Sequence, residues 1–156
     1  MDNVFQLDIL DSKPEEEKPK MVKYGFRIYL ADWEWLKELV KYEIVKNENL
    51  EYTNAKAISD GIELLRQTKG KMEQRKANVR YRPGRRENPG EVKITSTYLT
   101  EEDSEYLKNY HFYTIFTKGE LDFSQMKLFS EIVQELKIKY KDKFYCCFIR
   151  FICHIY

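Results

Sequence analysis

The chain carries one pattern twice. From Tyr52 it reads Tyr-Thr-Asn-Ala-Lys-Ala-Ile-Ser and continues to Arg66; from Phe123 it reads Phe-Ser-Gln-Met-Lys-Leu-Phe-Ser and continues to Lys137. Aromatic stands against aromatic, hydroxyl against hydroxyl, amide against amide, Lys56 against Lys127 and Ser59 against Ser130, all seventy-one residues apart. Each copy opens with a hydroxyl residue able to accept from the free N–H groups of a first helical turn. Apolar residues follow at 58, 62 and 65 in one copy and at 129, 132, 133 and 136 in the other, the spacing of one helix face. Two capped amphipathic helices in a tandem repeat are therefore expected.

What precedes each copy is also alike. Val22 to Leu30 alternates in the period of a strand, with Phe26, Ile28 and Leu30 on one face and Lys23, Gly25, Arg27 and Tyr29 on the other. Asp32 stands where an N-cap belongs, and Trp33, Leu36, Leu39, Val40 and Ile44 then mark a helix that runs to Asn47. In the second half, Val92 to Tyr98 alternates again, with Lys93, Thr95 and Thr97 on one face and Val92, Ile94, Ser96 and Tyr98 on the other. Thr100 is the expected cap of the helix that follows, with Glu101, Glu102 and Asp103 complementing its dipole. Matching the alternation of the two strands needs an offset of sixty-eight, which implies about three extra residues in the second copy's first helix or turn.

Charge divides the rest of the chain. The net value of +1 conceals an acidic arm, residues 1–20 with six acidic and three basic side chains, and a basic linker, 69–90, whose eight cations up to Arg86 face Glu73 alone. Pro83-Gly84 and Pro89-Gly90 break any helix there. The linker reads either as a solvated connector or as an arm along phosphates, in which Arg80, Arg82, Arg85 and Arg86 take part. The division is thus an arm to 20, a first unit 21–68, the linker, a second unit 91–140 and a tail 141–156. The tail is almost wholly apolar from Phe144, too short to span a bilayer at about 20 residues. Its Cys146, Cys147, Cys153 and His154 make a poor tetrahedral set, and no metal or other cofactor is expected. An odd cysteine count without framework spacing, and no apolar leader after Met1, fit a cytoplasmic protein.

Catalysis finds little support. The two histidines are His111, among aromatic residues, and His154; there is no Gly-rich phosphate loop, His-Glu metal spacing or nucleophile elbow. The chain is not expected to be an enzyme.

A short alternating strand followed by two helices, the second opening on a hydroxyl, resembles the ribbon-helix-helix fold of Arc-like and CopG-like repressors, over roughly 22–68 and 91–140. The resemblance implies a mainly α protein with a short two-stranded antiparallel β-ribbon, here an intramolecular pseudo-dimer of two tandem units. Physics agrees: a lone strand has two unpaired edges and one apolar face, and the second copy supplies the missing partner. Pairing 22–30 with 92–98 is expected to bury Phe26, Ile28, Leu30 and Ile94 and to leave the opposite face outward.

In that family the ribbon enters the major groove of DNA and the second helices' N-termini grip phosphates. The resemblance therefore implies base contacts from Lys23, Arg27, Tyr29, Lys93, Thr95 and Thr97. Phosphate contacts fall to Thr53, Asn54, Lys56, Ser124, Gln125 and Lys127, besides the linker arginines. The plainer readings are ordinary caps at Thr53 and Ser124 and a solvated strand residue at Arg27. The function implied is sequence-specific binding of double-stranded DNA at an asymmetric site and repression of transcription, as in relatives carried by mobile elements and viruses. Self-association into a dimer of pseudo-dimers would lengthen the site. The rival expectation is an antitoxin-like adaptor that binds a protein partner through its arm or tail.

Overall fold

The computed structural model describes residues 18–74 and 90–143. Residues 1–17, 75–89 and 144–156 lie outside the described residues, and with them most of the acidic arm, Arg80, Arg82, Arg85 and Arg86, and the cysteines. The element order is β1 (Met21–Tyr29), α1 (Leu30–Lys46), α2 (Asn54–Lys69), β2 (Val92–Thr100), α3 (Glu101–Phe116) and α4 (Gln125–Lys139). The chain is mainly helical, with one two-stranded antiparallel sheet. Among the described residues no helix is long and apolar enough to cross a membrane.

Three of the expected caps are present. Thr53 accepts from the Lys56 N–H at 3.2 Å, Thr100 from the Asp103 N–H at 3.0 Å and Ser124 from the Lys127 N–H at 3.2 Å. Asp32 is not a cap. The strand runs straight into α1 at Leu30, no side chain caps that helix, and the Asp32 carboxylate in its first turn accepts from Lys137 Nζ at 3.2 Å.

The offset of sixty-eight does not hold. Val92 follows Met21, Glu101 follows Leu30 and Gln125 follows Asn54, each by seventy-one residues, so no extra residues separate the second copy's elements. Sixty-eight and seventy-one differ by an odd number, and an odd slip turns every strand side chain to the opposite face.

The pairing runs from Met21 opposite Thr100 to Tyr29 opposite Val92, centred on Gly25 and Ser96. Directly opposed residues share a face, so Thr95 lies with Phe26, Thr97 with Tyr24 and Lys93 with Ile28, on the side that the helices cover. Ile94, expected in the core, is 71% exposed on the other side. The phase of β2 is set by Leu99, one residue past the alternating stretch Val92 to Tyr98. Leu99 is the last apolar residue of the strand, is 1% exposed and faces the core opposite Val22.

On the covered side Phe26 stacks on Phe129 of α4, with ring centroids 4.1 Å apart and planes 6° from parallel. Each second helix covers the strand from the other half of the chain: α4 lies over β1 and α2 over β2, while α2 and α4 pack on each other. Their closest approach is at Gly61, where an added Cβ would stand 2.5 Å from Ile132 Cγ2 and 3.2 Å from the Ile132 carbonyl oxygen. Ile132 is β-branched and has little freedom to move aside. Backbone hydrogen bonds close both ends of the ribbon, Leu30 N–H to Glu91 O and Glu101 N–H to Lys20 O, each 2.9 Å.

Two matched polar contacts cross between the halves. Arg66 of α2 reaches Asp103 of α3 at 2.9 Å and lies 4.8 Å over the Tyr106 ring. Lys137 of α4 reaches Asp32 of α1 and lies 5.6 Å over the Trp35 ring. Buried phenols supply a third polar layer. The Tyr140 hydroxyl donates to Glu43 Oε1 at 2.7 Å, Tyr52 to Asp60 and Tyr110 to Glu131.

Burial first, then the Glu43 carboxylate, push the Tyr140 phenol up to about 12; Tyr52 and Tyr110 are raised by burial and by their carboxylates in the same way. A folded-state value above the unfolded one of about 10 means stability fully present below pH ~10 and lost as pH rises through the folded values. Urea melts at stepped pH are expected to show a steep loss from pH ~10 upward, made shallower in Tyr140→Phe. At the helix crossing, Gly61→Val is expected to destabilise the fold by about 2–3 kcal/mol. Adding Ile132→Ala to that variant should cost less than Ile132→Ala costs alone, since the two side chains compete for one space.

Candidate nucleic-acid interface

The ribbon has one covered face and one open one. On the open face β1 presents Met21, Lys23, Gly25, Arg27 and Tyr29, and β2 presents Val92, Ile94, Ser96, Tyr98 and Thr100. Lys23, Gly25, Arg27 and Ser96 are exposed, Tyr98 is 61% exposed and Tyr29 is half-buried. The centre, Gly25 opposite Ser96, is nearly bare, and larger side chains rise on both sides of it: Lys23 with Tyr98, Arg27 with Ile94. Among the described residues neither the Lys23 ammonium nor the Arg27 guanidinium joins an ion pair or hydrogen bond. Two cations on a two-stranded surface are thus available to an outside acceptor.

The open face is divided lengthwise. Both cations belong to the β1 column, and the β2 column holds apolar and hydroxyl residues only. Of the residues expected to touch bases, Lys23, Arg27 and Tyr29 are on this face. Lys93, Thr95 and Thr97 are not; the phase set by Leu99 turns them to the covered side, where Lys93 is still exposed at the ribbon's end. Ile94, Ser96 and Tyr98 occupy the places expected for them. One signal in the sequence does find these three: the seventy-one-residue spacing of the helices, carried unchanged through the strands.

The second helices begin beside the ribbon. Gln125, the first residue of α4, accepts from the Arg27 N–H at 3.1 Å and donates to the Gly25 carbonyl at 3.2 Å. Its amide covers the outer edge of β1, so it holds the helix N-terminus against the strand. Asn54 opens α2 at the matching position with one methylene fewer, and its Oδ1 is buried with no hydrogen-bond partner. Lys56 pairs with Asp60 at 2.7 Å and Lys127 with Asp122, both at the solvent surface. Such exposed pairs hold their cations by no more than about 1 kcal/mol, so either ammonium can exchange its carboxylate for a phosphate. Thr53 is exposed, whereas Ser124 is buried. At this rim the structure brings the caps, both lysines and Gln125 to the two helix starts, with the amide of Gln125 engaged by the strand.

A shallow cleft at the β1 edge is lined by Val22 to Gly25 and by Glu101, Ser104, Glu105 and Lys108 of α3. Among the described residues no group of three or more His, Cys, Asp or Glu gathers to hold a metal ion.

Comparison of the chain with protein-family models, curated proteins and solved structures gives no match.

Asn54→Gln is expected to stabilise the fold by about 1 kcal/mol, because the longer amide can reach the outer edge of β2 as Gln125 reaches β1. Urea denaturation measures the gain, and an unchanged midpoint would show that the α2 N-terminus stands differently on its strand.

Proposed function

We propose that this chain is a tandem ribbon-helix-helix protein, an intramolecular pseudo-dimer that binds double-stranded DNA with the open face of its ribbon in the major groove and represses transcription in the cytoplasm of its host. The observation that carries this reading is the open ribbon face with Lys23 and Arg27 unengaged on it. A two-stranded ribbon is of a size that the major groove admits, and a guanidinium there donates two hydrogen bonds to guanine O6 and N7. The matched contacts of Asp32 with Lys137 and Asp103 with Arg66, at one spacing, are those expected of two equivalent units facing each other. Helix starts at Asn54 and Gln125 supply positive dipole ends for flanking phosphates, with Lys56 and Lys127 beside them. Arg80, Arg82, Arg85 and Arg86 add phosphate contacts from the linker in this reading.

Val45 with Leu50, and Phe116 with Leu121, are exposed at matching places in the two halves. They offer a surface on which two molecules can meet on one duplex.

The second reading, a protein-interaction module, draws on the exposure of Ile94 and Tyr98 on the same ribbon face. Selection from a random duplex pool, followed by titration at several salt concentrations, separates the two. Arg27→Ala is expected to weaken the selected site about 10- to 100-fold and to relax its sequence preference. Lys56→Ala should weaken all sequences alike and lower the salt slope by about one. Thr95→Ala, beneath the helices, should change stability and leave the base preference unchanged. Absence of any enriched sequence and of salt dependence, together with a stable protein complex, would favour the interaction module.

A further inference from the structure

Folding does not require apolar side chains on the open face of this ribbon, yet β2 puts them there. On the covered side it carries Thr95, Thr97 and Leu99, with Lys93 exposed at the ribbon's end, and its outward residues include Ile94 and Tyr98, 71% and 61% exposed. For a strand with one covered face this is the reverse of the usual alternation. Conflicts of that kind between local pattern and fold are expected where a surface serves a ligand. We infer that Ile94 and Tyr98 are specificity-determining residues that pack on the 5-methyl groups of thymines in the major groove. The inference rests on the DNA-binding reading above and names what that site prefers.

Charge and geometry commit the column to this occupant. Lys23 stands opposite Tyr98 and Arg27 opposite Ile94, so each apolar group has a cation as its cross-strand neighbour. An apolar protein surface would strand two unpaired cations in the contact, whereas the major groove offers acceptors and methyl groups side by side. Gln125 fixes the α4 N-terminus at the β1 edge, where a phosphate flanks the groove. Four residues of strand separate Ile94 from Tyr98, and Lys23 from Arg27, about 13 Å or roughly four base-pair steps. The preferred site therefore carries guanines read from the β1 column and thymines read from the β2 column. Duplex RNA is disfavoured twice, because its major groove is too narrow for a ribbon and uracil lacks the methyl group.

The test uses the full chain and the duplex selected from a random pool, resynthesised with deoxyuridine in place of each thymine in turn. For the unaltered protein, binding is expected to fall about fourfold for each contacted methyl removed, the equivalent of one buried methylene. Ile94→Ala and Tyr98→Ala should each become insensitive to one deoxyuridine position and keep the other sensitivity. Both side chains are exposed, so the variants should retain the parent melting temperature. Equal binding of the thymine and deoxyuridine duplexes would overturn the methyl contacts and leave DNA binding standing. Failure to select any duplex would overturn both. Variants that lose a protein partner while binding the duplex unchanged would assign the column to that partner and overturn the inference.

Discussion

Everything in this fold depends on the hydrogen-bonded pairing of β1 with β2. Among the described elements each strand has the other as its sole sheet partner, and the 62 residues 30–91 connect them. Closing so long a connection carries an entropy cost that the ribbon's own bonds, in a pair with one edge open on each side, do not offset. The offset comes from beneath. Because α4 lies over β1 and α2 over β2, forming the ribbon and packing the helices are one event, and the stacked rings of Phe26 and Phe129 tie the strand of one half to the helix of the other. Gly61 lets α2 and α4 approach closely enough for both to reach their strands. The helix interior gives up about 1 kcal/mol of propensity for that approach.

The ion pairs between the halves act on the same constraint in another way. Asp32 and Asp103 are largely buried, and each meets a cation delivered by the second helix of the opposite half. Asp103 also accepts from the Ser59 hydroxyl at 3.0 Å. Leaving either carboxylate without its cation would strand a charge in a partly dehydrated site, a penalty larger than the net gain from the pair. The pairs therefore disfavour other registers more than they stabilise this one: slide the helices by a turn and both carboxylates lose their partners together.

The sequence made the order of elements and three of the four helix starts legible, because these rest on local chemistry. Thr53, Thr100 and Ser124 each satisfy an N–H three residues on, a bond that any chain with that local pattern can make. Asp32 failed as a cap because its partner is Lys137, more than a hundred residues away, and no local pattern reports such a partner. The face of β2 departs from its alternation for a related reason. Alternation alone assigned Ile94 and Tyr98 inward, while the phase was decided by Leu99 at the junction with α3 and by the pairing with β1. Half of the proposed base-reading set moved with that phase. Lys23, Arg27 and Tyr29 kept their place because Phe26 and Ile28 anchor the first strand unambiguously.

A ribbon made by two copies of one strand must show the same residues in both of its columns, so a cation in one column is repeated in the other. Here the two strands are different stretches of one polypeptide, and they differ on the open face while sharing length, spacing and the buried positions Ile28 and Leu99. At the matched places Lys23 and Arg27 stand against Ile94 and Tyr98, charge against apolar surface, with Gly25 and Ser96 small at the centre. Under the proposed reading, covalent fusion is what permits this division. Each column answers to a different feature of the groove, and the site cannot be a palindrome without leaving one column mismatched in one of its halves.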